Sequence, residues 1–314
     1  MISHGPITFK PILMERPWGG RLLETEFHIT LPKSTQIGEL WALVDRSEVQ
    51  SIVENGPLQG KTLHQLWKNY RVAIFGAKHL KNSSSSFPLL CKILDAAEML
   101  SLQVHPRATT ASKLHGEPKT EFWYFLKTDV DAFCYAGLKK GVTRTKFESS
   151  LKNGTLNQTL HRINVKKGDS LFIPSGRLHA LGKGNLVIEI QQNSDTTYRV
   201  FDWNRRDSEG RTRTLHFEEA MESIDFDDEE PSLQNRDSPM ISNYFHSEKW
   251  NLSISREITT SEDFAILTCL TGEVECQGMT FYPGDFFLLP ALQKKFTLTP
   301  LTQNTSVICT RLPF

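Results

Sequence analysis

Val165–Leu181 reads VKKGDSLFIPSGRLHAL, and Phe281–Ala291 reads FYPGDFFLLPA. Each stretch sets a Gly-Asp turn before a short apolar run, and each run ends at a proline. Gly and Asp suit a tight turn, the apolar run suits a buried strand, and proline cannot donate to a continuing ladder. The unit occurs twice, which predicts two related antiparallel β barrels or sandwiches and an all-β fold.

Working outward, SLQVHP at 101–106 alternates Leu102 and Val104 against Gln103 and His105. A period of two places Gln103 and His105 on one face. TEFWYFL (120–126) and DAFCYAG (131–137) read as neighbouring strands, and LLCKILDA (89–96) as a strand entering the core. Leu63, Leu66, Trp67, Tyr70 and Ile74 recur near helical spacing, which predicts one or two short helices between Thr62 and Ala77. FESSLKNGTLNQTLHRINV (147–165) reads as a small helical insertion before another strand. KNSSSSFP (81–88) is a loop by composition and is expected to be mobile. The acidic, proline-containing tract near 225–240 is the expected boundary, dividing the chain into 1–235 and 236–314, and its charges are expected to be solvated.

Lys plus Arg equals Asp plus Glu at 36 each in 314 residues, so no global positive field points to nucleic acid or an anionic membrane. The amino end does not read as a signal peptide, and no segment approaches the roughly 18 apolar residues of a membrane span. A cytoplasmic protein is expected. Cys91, Cys134, Cys269, Cys276 and Cys309 are odd in number and widely spaced, as befits buried free thiols.

His105, Glu121 and His179, with Gln103 on the face of His105, are the candidate metal ligands. Imidazole and carboxylate donors with an open position suit a catalytic divalent ion, with zinc the default, and a β barrel can bring distant strands together. Any one of these histidines alone reads first as a hydrogen-bonded core or surface residue, and together they are more persuasive as ligands. Lys119 shares the strand face of Glu121, two residues on; Arg199, Arg205 and Arg206 form either a site or an ordinary charged surface. Trp18, Trp41 and Trp123 are core residues or sugar-stacking platforms.

PWGG (17–20), GELW (38–41), FPLLCKILDA (87–96), LSLQVHP (100–106), KTEFWYFL (119–126), PSGRLHAL (174–181) and IQQNSDTTYRVFDWNR (190–205) follow one another in this order. Taken together they resemble the type I mannose-6-phosphate isomerases in their compact bacterial form, over nearly the whole chain. The resemblance implies a double cupin (jelly-roll) architecture, with a catalytic domain at 1–235 that carries the helical segments and a smaller cupin-like domain at 236–314. It implies one Zn2+ per subunit on His105, Glu121 and His179, with Gln103 as a further candidate, and active-site positions at Arg199, Lys119 and Glu189. The reaction implied is the reversible isomerisation of mannose 6-phosphate and fructose 6-phosphate through a cis-enediol. A phosphorylated hexose is the expected partner and a monomer the expected state. Cys91 and Phe122 fall at positions that vary among relatives, and the long helical insertion of eukaryotic-type members is missing. Two rivals remain: another metal-dependent cupin enzyme such as an oxygenase or epimerase, and a sugar-phosphate binder without turnover. The KTE and SDTTYR segments favour the isomerase.

Overall fold

The protein is described by a computed structural model covering residues 5–27, 29–81, 84–236 and 238–313. Four antiparallel sheets form two sandwiches. In the first, a six-stranded sheet orders Ile12–Gly20, Ile37–Leu43, Leu89–Ala96, Asn185–Gln192, Glu121–Thr128 and Ser170–Ile173. It faces a five-stranded sheet ordered Tyr198–Phe201, Leu102–Val104, His179–Leu181, Phe133–Leu138 and Leu160–Asn164. Trp18, Leu94, Trp123, Phe125 and Val187 of the larger sheet meet Cys134, Ala136 and Leu181 of the smaller one in the interior.

The second sandwich pairs a sheet containing Ala265–Thr271, Phe286–Leu289 and Thr305–Arg311 with a four-stranded one containing Lys295–Pro300 and Val274–Cys276. Its larger sheet ends on Ile7–Thr8, which pairs with Phe287 and Leu288, so the beginning of the chain completes the sheet built by its end. This is the all-β double sandwich that the repeated turn predicts, and the repeat is visible atom by atom. The Asp169 carboxylate accepts from the Lys166 amide at 2.8 Å, and Asp285 accepts from Tyr282 at 2.7 Å. Gly168 donates to Phe125 at 2.8 Å, and Gly284 donates to Cys269 at 2.9 Å. One turn is used twice to launch a strand.

LLCKILDA is buried along its whole length because both faces of its sheet are covered. Cys91 and Ile93 point away from the sandwich interior into a core shared with Trp67, Phe75, Phe264, Ile266 and Ile308, which joins the two sandwiches. The short helices Leu63–Asn69 and Arg71–Phe75 supply part of that core. Thr62 caps the first of them in a reciprocal arrangement with Gln65, which satisfies the backbone amides of both residues. The helical insertion lies at Arg144–Lys152 and is followed by the strand Leu160–Asn164. Helices Leu22–Phe27 and Phe217–Ser223, which the sequence reading omits, are each under eight residues and too short to present a clear period. The expected mobile loop at 81–88 falls partly on residues 82 and 83, outside the described residues. The Ser84 carbonyl is held by the Trp67 indole at 3.0 Å. All five cysteines are free and buried.

The PWGG and GELW segments belong together through one close approach. A Cβ on Gly19 would meet the Gly38 nitrogen at 2.4 Å, so glycine lets the two backbones touch. The acidic tract is less solvated than its composition predicts: Asp228 takes both Arg177 nitrogens, Nε and Nη2, at 2.7 Å. Among the described residues, no helix is long and apolar enough to cross a membrane.

Candidate active site

Three of the predicted ligands converge by strand register. His179 opens its strand directly across from Gln103, and Gln103 lies across from Arg199 on the other side, so the three form one row over adjacent strands. His105 follows the end of the Gln103 strand, and Glu121 begins a strand of the opposing sheet. His105, Glu121 and His179 are fully buried, with their ligand atoms within 4.8 Å of one another. Glu121 Oε1 is 3.1 Å from His179 Nε2, and Oε2 is 3.6 Å from His105 Nε2 and 3.0 Å from Lys119 Nζ.

The rings are oriented from behind. His105 Nδ1 donates to the Thr196 carbonyl at 2.8 Å, and His179 Nδ1 donates to the Arg177 carbonyl at 2.9 Å. A carbonyl only accepts, so the proton resides on Nδ1 and each Nε2 presents a lone pair inward. Both Nε2 atoms and Glu121 Oε1 are buried without a hydrogen-bond partner, while Glu121 Oε2 has the Lys119 ammonium at 3.0 Å. Burial, aided by Lys119, lowers the His105 pKa to about 3 and keeps the ring neutral. Burial would raise the Glu121 pKa, yet the Lys119 ammonium overcomes it and holds the carboxylate ionised. Two lone pairs and an anion turned on one another repel unless a cation lies between them. The donor set therefore fits a divalent ion.

A cleft of about 410 Å³ opens beside this centre, lined by Trp18, Lys92, Gln103, Lys119, Glu189 and Arg199 among others. Arg199 donates from Nη1 to the Thr214 carbonyl at 2.8 Å, while its buried Nε has no partner. Burial and neighbouring Arg213 both disfavour its charge, and Asp202 offsets them only in part. The guanidinium is thus short of counter-charge, a property that suits it to an anionic or oxygen-rich ligand. Glu189 accepts from the Trp123 indole at 2.8 Å and lies 3.2 Å from Lys92. Burial raises its pKa against the pull of Lys119 and Lys92.

Trp41 and Trp123 are core residues whose indoles serve Glu39 and Glu189; Trp18 is buried yet lines the cleft. Arg205 is tied to Asp202 at 3.0 Å, and Arg206 is on the surface. Lys92, Glu39 and Arg16 line the cleft without having been singled out from the sequence. The available signal was a charge inside a mostly apolar strand, Lys92 in LLCKILDA and Glu39 in IGELWAL, where burial demands a partner.

Two β-sandwiches, one of them enclosing two histidines and a glutamate able to hold a metal ion beside a cleft of mixed charge, define a double-cupin protein. Residues 7–124 match the family described as phosphomannose isomerase type I, catalytic domain, and residues 236–306 match mannose-6-phosphate isomerase, cupin domain. The chain is 39% identical over 305 residues to the mannose-6-phosphate isomerase ManA of Bacillus subtilis (strain 168), spanning 91% of this chain and 93% of that protein. Its fold is similar to the crystal structure of the mannose 6-phosphate isomerase from Bacillus subtilis, with a TM-score of 0.85 and 33% identity over 98% of this chain and 99% of that one. A mannose 6-phosphate isomerase bound with zinc and yttrium shares the fold at a TM-score of 0.74 and 14% identity, over 99% of this chain and 100% of that one. The chain belongs to the type I mannose-6-phosphate isomerase family.

Proposed function

We propose that this protein interconverts D-mannose 6-phosphate and D-fructose 6-phosphate through a cis-enediol, with one Zn2+ per subunit. The observation that carries the reading is the buried cluster of ligand atoms on His105, Glu121 and His179, with both inward Nε2 atoms unpartnered, beside a cleft of sugar-phosphate size lined by Lys92, Lys119 and Arg199 together with Glu39 and Glu189. Family membership and the activity named for its relatives point the same way. Zinc suits this donor set, with Gln103 as a further candidate ligand, and when bound it would supply Lewis-acid stabilisation of charge developing on the sugar oxygens.

The chain's own residues supply the rest. Arg199 stays protonated and undercompensated, so it holds substrate or intermediate oxygens and is not the base. Lys119, 3.0 Å from Glu121, keeps that carboxylate ionised and adds positive charge to the cleft wall. Glu189 is a buried carboxylate with a raised proton affinity on the cleft wall, and we assign it the proton moved between C1 and C2. Burial of the centre under two sheets excludes water and strengthens each of these interactions.

The division at residue 235/236, a cytoplasmic location, a monomeric state and a phosphorylated hexose as the partner belong to the same reading. The test is isotope exchange at C2 of mannose 6-phosphate in deuterated water, followed by NMR on metal-loaded protein. Deuterium entering C1 of the fructose 6-phosphate that forms, and C2 of mannose 6-phosphate on reversal, is the expected result. Binding without exchange would instead identify a non-catalytic sugar-phosphate binder.

A further inference from the structure

Glu39, Lys92 and Glu189 stand on three adjacent strands of the six-stranded sheet, in the register Lys92 opposite Glu189 and Lys92 opposite Trp41. Their side chains are almost wholly buried, at 9%, 3% and 4% exposure. Lys92 Nζ lies 3.5 Å from Glu39 Oε2 and 3.2 Å from Glu189 Oε2, so one ammonium is shared by two carboxylates. The sharing is unequal. Glu39 also receives Arg16 through Nε at 2.8 Å and Nη2 at 3.3 Å, and the Trp41 indole as well. Among the described residues, Glu189 is paired with Lys92 and the Trp123 indole alone.

We propose that Arg16 and Glu39 are positioning residues, which hold the Lys92 ammonium between two carboxylates and so leave Glu189 as the member of the pair able to exchange a proton. Two like groups driven apart by their surroundings are the usual mark of a divided acid–base role. Burial works to raise Glu39, but Lys92 and Arg16 pull its pKa down to about 2, fixing it as a permanent anion. Around Glu189, burial is reinforced by the charge of Glu121, and Lys119 and Lys92 do not overcome the two together. A buried chain of alternating charges is also a poor choice for stability alone, since apolar residues of similar volume commonly do as well or better. The inference takes from the preceding section only that Glu189 carries the proton.

The test combines a titration with kinetics. The Glu189 carboxyl is followed by carbon-13 NMR in metal-loaded protein and assigned by its absence in Glu189→Gln. In Glu39→Gln, Lys92 is released to pair wholly with Glu189. The Glu189 midpoint should then fall by about one unit. In the same variant kcat should drop by about tenfold or more while KM for mannose 6-phosphate stays within about twofold. Arg16→Met should move the Glu189 midpoint the opposite way, upward, because Glu39 without its guanidinium partner draws Lys92 from Glu189, and Glu39→Asp should recover part of the Glu39→Gln shifts. An unmoved Glu189 midpoint in folded Glu39→Gln and Arg16→Met would overturn the inference, as would a change confined to KM. Should the unaltered protein fail to isomerise hexose phosphates, the functional reading fails by itself, and the midpoint still decides the positioning role.

Discussion

His179 Nε2 lies 3.1 Å from Glu121 Oε1, and no hydrogen bond joins them. The ring has already spent its proton on the Arg177 carbonyl, so a lone pair faces a carboxylate. Such a contact is costly in an interior of low dielectric and becomes favourable with a cation between the two groups.

His179→Ala removes one of three ligands. Metal content after dialysis, read by elemental analysis, should fall to near zero at concentrations that saturate the unaltered protein. The loss of affinity should exceed the roughly 10–100-fold typical of changing a ligand's outer partner. Full metal occupancy in the variant would exclude His179 from the ligand set.

Arg199→Ala should separate metal from chemistry. The arginine stands two strands from His179, with Gln103 between them, so metal content should be unchanged. Losing a preorganised donor to the reacting oxygens should lower kcat/KM by about a hundredfold or more. Normal efficiency would remove Arg199 from the mechanism.

Acid should selectively erase the contribution of Glu39. Its folded pKa of about 2 is below the unfolded value near 4.5, so its stabilisation is complete above the unfolded pKa and is lost as pH falls toward the folded one. The shift corresponds to about 3 kcal/mol as an order of magnitude. Urea unfolding between pH 7 and pH 3 should show the gap between the unaltered protein and Glu39→Gln narrowing below about pH 5. A gap that widens on acidification would contradict this assignment.

The two sandwiches should unfold together. Phe264 of the second is fully buried against Phe75 at 5.2 Å and Phe87 at 5.8 Å, both contributed by the first. Phe264→Ala should cost about 3–5 kcal/mol and lower the midpoint of a single transition. Two separated transitions in the unaltered protein, with only one moved by the substitution, would show that the shared core does not couple them.

Much of the site was legible in the sequence because strand period fixes facing. Gln103 and His105 share a face as the alternation in SLQVHP requires, and Lys119 reaches Glu121 from two residues away. The helical insertion and the twin Gly-Asp turns were legible for the same local reason. Convergence of His105, Glu121 and His179 was not, since it depends on register between strands that lie far apart in the chain and on which sheets face each other. Lys92 and Glu39 were not legible because they lie on different strands among mostly apolar neighbours, and only the fold shows that they meet. The acidic tract misled in part: composition marks it as solvated, whereas Asp228 anchors Arg177, whose carbonyl orients His179.

The most direct measurement is a coupled mannose-6-phosphate isomerase assay on the purified protein, made metal-free and assayed again after zinc is restored. The account requires activity that disappears with the metal and returns with zinc. No turnover in either state, with folding and metal content verified, would contradict it.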